Sequence, residues 1–255
     1  MPRRKITRRR ALQLAAYTPL AIRALAQSPT KPNIVYIMAD DLGYADLSCY
    51  GRRDYTTPNL DRLAASGAKF MQAYANSSVC SATRTALITG RYQYRLPIGL
   101  EEPIPSGTKR DPGIPVEHPT LPSLLKKAGY GTTLVGKWHL GFLPNHSPLK
   151  NGYDHFWGIR SGGVDYFTHK SGIANTNSGD LWEDDVKIEK AGYMTDLLGD
   201  HAVSVIDNYA KAKQPFFLSL HFTAPHRADD MAIGINQHLA ANMPRHTALF
   251  TDNRA

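Results

Sequence analysis

The chain has 255 residues, of which 42% are hydrophobic and 20% charged, which is enough apolar material for one large domain or two small ones. This composition excludes a disordered or fibrous chain, and two cysteines are too few for a disulfide scaffold. Seven basic residues and no acidic ones lie within residues 1–26, so without that segment the formal net charge falls from +8 to +1. The remainder is nearly neutral, and we therefore expect no nucleic-acid partner.

The first 26 residues have the order of a targeting peptide. A basic stretch precedes a moderately apolar run, and the small residues that end at Ala26 would form a cleavage site. Arg8 and Arg9, with their neighbours, resemble the twin-arginine export motif of bacteria. We expect residues 1–26 to be a twin-arginine-type signal peptide and residues 27–255 the folded part, exported to the periplasm or the extracellular space. A frayed basic tail is the alternative, and the run is too short for stable membrane insertion.

Strand-like and helix-like patterns alternate after residue 32. Continuous apolar, β-branched runs predict buried strands, and periodic segments that end at glycine predict helices. In chain order we predict a strand at Asn33–Ala39, helices at Pro58–Ser66, Ser81–Thr89 and Leu121–Ala128, a strand at Gly131–Val135, a helix at Thr195–Ala212, a strand at Pro215–Phe222, a helix at Met231–Ala241 and a strand at Thr247–Thr251. This alternation predicts an α/β fold with a mainly parallel sheet sandwiched by helices, and ligands then bind beyond the carboxyl ends of the strands.

Carboxylates follow the first predicted strand. Asp40 and Asp41 would repel each other in a low-dielectric cleft, so they predict a hard cation such as calcium or magnesium. Asp252 and Asn253, at the end of the last predicted strand, could add oxygen ligands. The aspartates could also cap a helix or lie solvated in a turn.

Five further polar residues could take part in chemistry. Cys80 lies just before a predicted helix with Arg84 one turn on, which is an electropositive setting for a thiol, although an isolated cysteine is more often a small buried apolar residue. Lys137 and His139 are two apart, so an extended segment would point both at one anion. Such a pair could be solvated surface, and His226 could be a satisfied core histidine.

At these residues the sequence resembles a family. CSATRTALITGRY (Cys80 to Tyr92) resembles the modification motif of the type I sulfatases, in which Cys, any residue, Pro or Ala, any residue and Arg direct conversion of the cysteine to formylglycine. GYGTTLVGKWHLG (Gly129 to Gly141) resembles their second motif. The segments beginning at Asn33, Thr57 and His221 also resemble sulfatase segments in the same order.

The resemblance implies an alkaline phosphatase-like core and a set of roles. Cys80, as hydrated formylglycine, would attack the sulfur of a sulfate ester, and a calcium ion held by Asp40, Asp41, residue 80, Asp252 and Asn253 would bind a sulfate oxygen. Arg84, Lys137 and His226 would neutralise the sulfate, and His139 would handle the proton of the diol. The implied partners are a sulfated small molecule or carbohydrate, a formylglycine-generating maturase and the twin-arginine export machinery.

Some features depart from the family pattern. Ala82 stands where many members have Pro, only 25 residues separate His226 from Asp252, and FTDNR lacks the Ser and Gly of the usual TSDNG.

The segment from Ser161 to Asp185 is similar to the bacterial arylsulfatase and N-acetylgalactosamine-6-sulfatase branch. We therefore expect the N-terminal part of a sulfatase catalytic domain with a truncated C-terminus. A phosphodiesterase or phosphonate monoester hydrolase of the same superfamily and a truncated, inactive chain are the alternatives.

Overall fold

The computed structural model describes residues 31–104, 110–171 and 179–227. The signal peptide predicted at residues 1–26 and the helix and strand predicted after residue 230 lie outside these ranges. The described strands are β1 (Ile34–Asp40), β2 (Gly131–Lys137), β3 (His155–Ile159), β4 (Leu181–Glu183), β5 (Val186–Ile188) and β6 (Phe216–Pro225). The described α-helices are α1 (Pro58–Ser66), α2 (Cys80–Thr89), α3 (Leu121–Lys127) and α4 (Met194–Ala212). Among these helices none is long and apolar enough to cross a bilayer.

The six strands form one mixed sheet in the order β1-β6-β2-β3-β4-β5. The first four strands in this order run parallel, and β4 and β5 form an antiparallel extension beside β3. The last described strand in the chain, β6, therefore lies between the first two. Because parallel strands end on the same side, the residues after β1, β2 and β6 meet along one edge of the sheet.

Helices cover both faces of the sheet. Successive strand residues point to opposite faces, so Leu134 packs into an apolar cluster with Ile88 of α2, whereas Val135 packs into a second cluster with Leu198 of α4. The near-continuous apolar sequences of β2 and β6 follow from this burial on both sides. The predicted α/β sandwich is confirmed.

The four predicted helices that fall within the described residues agree with the structure to within one residue at each end. α1 has the predicted bounds, α2 begins one residue earlier at Cys80, and α3 ends at Lys127. Gly90 ends α2 in the left-handed conformation, with φ of 63°, and its N–H donates to the carbonyl of Ala86.

Three features of the sheet differ from the sequence prediction. β3 and the β4–β5 hairpin were not predicted, because each is short and is bounded by glycines or acidic residues. β1 was expected to be buried on both faces, but Val35 is 44% exposed and Ile37 55% exposed. The reason is that β1 lies at the edge of the described sheet and pairs only with β6 there.

Candidate active site

Asp40, the last residue of β1, lies between two cations at the carboxyl edge of the sheet. Its Oδ2 accepts a hydrogen bond of 2.5 Å from Nζ of Lys137, and its Oδ1 lies 3.6 Å from Nη2 of Arg84. These side chains are 7%, 0% and 1% exposed, respectively. The strand order thus brings together three charged groups that β1, α2 and β2 supply separately.

The charges in this cluster are unequal. Burial alone would raise the pKa of Asp40, but the charges of Arg84 and Lys137 outweigh it and hold that pKa below its usual value. Two cations therefore face one ionised carboxylate away from water. The excess positive charge favours a further anion beside them.

Arg84 keeps part of its hydrogen-bonding capacity unused. Its Nη1 donates to the carbonyl of Lys137 at 2.9 Å. Its Nε and Nη2 are buried and have no hydrogen-bond partner among the described residues. A guanidinium has only donors, so these N–H groups need an acceptor such as an anion oxygen.

Cys80 contacts His139 across the site. The Sγ atom lies 3.2 Å from Nδ1, and Nε2 lies 3.1 Å from the carbonyl of Ile104. A carbonyl only accepts hydrogen bonds, so Nε2 carries the proton and Nδ1 presents its lone pair to the sulfur. Burial, with the charge of Lys137, lowers the pKa of His139 to about 3, and the neutral ring is therefore a hydrogen-bond acceptor at pH 7.

The start of α2 also positions the Ile104 carbonyl, which contacts His139. The buried hydroxyl of Ser81 donates to the carbonyl of Glu101 at 3.2 Å and accepts from the N–H of Ile104 at 3.1 Å, which places the Ile104 carbonyl. The first α-type hydrogen bond of the helix comes from Thr83, so the N–H of Ala82 is not needed within the helix. This explains why either alanine or proline suits position 82.

Backbone strain is concentrated beside these residues. Asp41 and His139 have φ angles of 66° and 53°, a left-handed conformation that is uncommon for residues other than glycine. Gly136, with φ of 112°, lies so close to the carbonyl of His221 that a Cβ would clash with it. Gly162 packs against the His139 ring, where a Cβ would lie 2.7 Å from Cε1.

His226 lies one residue beyond β6 in a more open part of the site. Its Nε2 is 3.7 Å from Oδ2 of Asp41, and these side chains are 25% and 56% exposed. Its carbonyl accepts a 2.7 Å hydrogen bond from the hydroxyl of Tyr166. The structure therefore brings His226 to the end of β1, on the Asp41 side.

The described residues fit a hard cation by chemistry but supply only part of a ligand set. Asp40 and Asp41 offer adjacent carboxylates, and oxygen is the donor that calcium prefers. Within the described ranges no group of three or more histidine, cysteine or acidic residues is arranged to hold a metal ion. Asp252 and Asn253, the other predicted ligands, lie outside the described residues.

Sequence reasoning did not single out several residues of the site. Ser81, Gly162, Tyr166 and His221 all contact a predicted site residue or the segment that positions it. From the sequence, only one of them had a recognisable signal, namely a polar residue within an apolar segment, as for His221 in β6.

These features define an α/β protein with an electropositive, nucleophile-containing site at the carboxyl edge of a largely parallel sheet. The model of the Sulfatase family matches residues 32–253. The chain belongs to the sulfatase family.

Curated relatives and solved structures agree with this assignment. The chain is 34% identical over 216 residues to an N-acetylglucosamine-6-O-sulfatase of Bacteroides thetaiotaomicron, which covers 82% of this chain and 34% of the relative. It is 41% identical over 146 residues to human steryl-sulfatase, covering 53% of this chain and 25% of that enzyme. The structure of Ps i-CgsB in complex with k-i-k-neocarrahexaose superposes with a TM-score of 0.71 at 37% identity, over 78% of this chain and 46% of that one. The alkaline phosphatase-like fold is thereby confirmed, and the chain spans about a quarter to a third of the length of these curated relatives.

Proposed function

We propose that this chain carries the nucleophile and the anion-binding groups for hydrolysis of a sulfate ester. The observation that supports this proposal best is the 3.2 Å contact between Cys80 Sγ and the unprotonated Nδ1 of His139, beside the buried cations Arg84 and Lys137. A nucleophile next to a base, with positive charge in excess, is the arrangement that transfer of an anionic group requires.

The sulfate group would lie in the cleft between β1 and the start of α2. This cleft has a volume of about 610 Å³ and is lined by Asp40, Asp41, Cys80 and Arg84, among others. The unpartnered N–H groups of Arg84 would donate to sulfate oxygens, and Lys137 would add charge. His226 would contribute from the open side. These groups would stabilise the charge that develops on the ester during reaction.

His139 is placed to accept a proton transiently from position 80. Its Nε2–H is held by the Ile104 carbonyl, so the Nδ1 lone pair keeps facing residue 80. A neutral imidazole in this tautomer can take a proton from a hydroxyl or thiol and return it later. The burial that lowers the pKa of His139 to about 3 keeps that lone pair free at neutral pH.

We propose that Cys80 is the site of formylglycine formation, which would supply the nucleophilic hydroxyl. The motif CSATR supports this, together with the half-buried position of an unpaired thiol in the first turn of α2. Co-expression with each of the two maturase types, the radical and the oxygen-dependent one, followed by mass spectrometry of the Cys80 peptide, tests it. An unmodified thiol with both maturases would overturn the assignment.

We also propose calcium as the metal, held by Asp40 and Asp41 together with residue 80, Asp252 and Asn253. A bound calcium ion would polarise a sulfate oxygen. The adjacency of the two aspartates and the strained backbone of Asp41 support the proposal. Calcium titration of the purified chain by calorimetry, with Asp41→Asn as the variant, tests it, and equal calcium binding by both proteins would overturn it.

For the substrate we propose a sulfated carbohydrate. A relative that covers 82% of this chain is named an N-acetylglucosamine-6-O-sulfatase, and a structure with a TM-score of 0.61 at 31% identity, over 78% of this chain and 35% of that one, contains D-glucosamine-2-N,6-O-disulfate. A panel of 6-O-sulfated monosaccharides beside an aryl sulfate tests the choice. Turnover of the aryl sulfate alone would contradict it.

We propose that the chain reaches the periplasm or the extracellular space by twin-arginine export. The paired Arg8 and Arg9 before a weakly apolar run support this route. Replacement of both arginines by lysine should leave the precursor in the cytoplasm in a fractionation experiment. Unchanged export would reject the route.

The decisive test of the activity is release of inorganic sulfate by the chain co-expressed with a maturase. Cys80→Ala should lose at least about 10³-fold in rate, because the nucleophile is gone. Cys49→Ala is the matched control, since this second free cysteine does not line the cleft, and it should keep the wild-type rate. Phosphate diesters assayed in parallel would reveal the alternative activity of the superfamily.

A further inference from the structure

His221 is a buried histidine in β6 that has none of the roles above. Its Nδ1 lies 3.0 Å from Nη1 of Arg84, and its Nε2 lies 2.8 Å from the hydroxyl of Ser219. Ser219 is two residues earlier in the strand and therefore points to the same face of the sheet. His221 and Ser219 thus lie behind the guanidinium that the site presents to an anion.

The hydrogen bonds assign the tautomer of His221. A guanidinium only donates, so Nδ1 at 3.0 Å from Nη1 must be the unprotonated acceptor. The proton then lies on Nε2 and is donated to Ser219. The Lys137 carbonyl, 3.2 Å from Nδ1, is satisfied by the second N–H of Arg84 Nη1 at 2.9 Å. This assignment leaves no pair of donors facing each other.

Two acceptors therefore hold one nitrogen of Arg84. With Nη1 bound to both the Lys137 carbonyl and His221, the planar guanidinium cannot turn about its axis without leaving buried donors unpaired. Its Nη2 stays on the side of Asp40, 3.6 Å from Oδ1, without a hydrogen-bond partner in the described part of the chain. The contacts of Nη1 with His221 and Lys137 therefore determine the orientation of the free donors Nε and Nη2.

We propose that His221, supported by Ser219, is a positioning residue that orients Arg84 for binding the sulfate group. The proposal rests on the proposed function, because it assigns the free donors of Arg84 to that anion. His221 itself does not touch the substrate and acts through Arg84.

Binding of inorganic sulfate to the full chain, measured by calorimetry, tests the proposal without requiring turnover. His221→Leu removes the acceptor, whereas His221→Asn keeps a carbonyl oxygen near the position of Nδ1. We expect the Kd for sulfate to rise about tenfold in His221→Leu and about threefold or less in His221→Asn, as expected for loss and partial rescue of one hydrogen bond to a charged group. A wild-type Kd in His221→Leu would overturn the proposal.

The matched control is His201→Leu on α4. His201 is a partly buried histidine that stacks on Trp157 at 4.8 Å on the other face of the sheet, so its loss affects packing but not Arg84. We expect a lower Tm with an unchanged Kd for sulfate. A comparable rise in Kd for this control would show that the effect of His221→Leu is only structural and would overturn the proposal.

A second measurement separates this proposal from the proposed function. In the ¹⁵N–¹H spectrum, the two Nη groups of Arg84, assigned by their loss in Arg84→Lys, should give separate signals in wild type, because their rotation is hindered. The signals should merge in His221→Leu, and in Ser219→Ala if the leucine variant does not fold. Unchanged signals would overturn the role of His221 even if the enzyme is active. If the signals merge in the variant but the protein hydrolyses no sulfate ester, the positioning role of His221 is supported although the proposed function has failed.

Discussion

The site has a buried half and an open half. The buried half comprises Arg84, Lys137 and His139, whose side chains are at most 2% exposed, with Cys80 at its border. The open half comprises Asp41 and His226, whose side chains are 56% and 25% exposed and 3.7 Å apart. The side chains of the buried half come from α2, β2 and the segment that follows β2, inside the fold, whereas the open half lies at the end of the edge strand β1.

The difference shows how burial defines geometry. In the buried half the polar atoms have specific internal partners, except Nε and Nη2 of Arg84, and these partners hold the side chains in one arrangement. In the open half water can satisfy the same groups, so the side chains of Asp41 and His226 have fewer internal partners, and further ligands would do more to set their arrangement. We therefore expect substitutions in the buried half to affect both stability and binding, and those in the open half to affect mainly binding.

Lys137→Met should have the largest effect, because it leaves the Asp40 carboxylate buried with one cation instead of two. We expect a loss of about 3–5 kcal/mol in the free energy of unfolding, measured by chemical denaturation, together with loss of sulfate binding. Lys126→Met is the matched control, since Lys126 pairs with Asp154 on the surface and its loss should cost at most about 1 kcal/mol. Equal losses of unfolding free energy in the two variants would show that the buried pair of Lys137 stabilises the protein no more than the surface pair of Lys126.

Gly162→Ala should displace His139, the proposed base, without removing any polar group. The added Cβ would lie 2.7 Å from Cε1 and 3.0 Å from Nε2 of His139, so the ring must shift. We expect the rate of ester hydrolysis to fall on the order of 10²-fold, because a shift of about 1 Å misplaces Nδ1 relative to residue 80. Gly199→Ala in α4, where a Cβ meets nothing within 4 Å, should keep the rate and stabilise the protein by about 0.5–1 kcal/mol. A wild-type rate in Gly162→Ala would show that His139 is not held by this packing.

The stability of the protein should fall as the pH falls below about 6.5. Burial lowers the pKa values of His139 and His221 to about 3, so the unfolded chain binds protons there at a pH where the folded protein does not. The lowered pKa of Asp40 adds a further loss at more acidic pH, as its paired carboxylate becomes protonated. Denaturant unfolding at pH 7.5, 6, 5 and 4 measures this, and His221→Leu should show a shallower decline. A decline as steep as that of wild type would contradict the neutral, buried state of His221.

Tyr166→Phe should have the smallest effect and only in the open half. It removes the hydrogen bond to the carbonyl of His226, so sulfate binding should weaken by about threefold, while the free energy of unfolding should fall by no more than about 0.5 kcal/mol because water can replace the lost donor. Tyr92→Phe, at a residue that is 54% exposed and does not line the cleft, serves as the control and should change neither quantity. A tenfold loss of binding in Tyr166→Phe would show that the open half is as constrained as the buried one.

The four described α-helices and the strands β1, β2 and β6 could be predicted because their signals are local. Proline near the first turn, a glycine after the last turn and a continuous apolar run each act within a few residues, as in α1, α2 and β2. β3 and the β4–β5 hairpin lack such signals, since pairing with distant strands stabilises these short segments. The exposure of β1 also depends on its position in the sheet rather than on its own apolar sequence.

By itself, the sequence determined the fold class, the family resemblance and which residue types stand at the ends of β1, β2 and β6, because these depend on patterns and motifs along the chain. Only the tertiary structure decided that Asp40 pairs with both Lys137 and Arg84, that Nδ1 of His139 faces Cys80, and that His221 lies behind Arg84. The physical reason is that tautomers, ion pairs and ring orientations follow from which donor and acceptor are nearest in a buried space. Those neighbours come from segments 53 to 137 residues apart in the chain, and no local pattern records their distances.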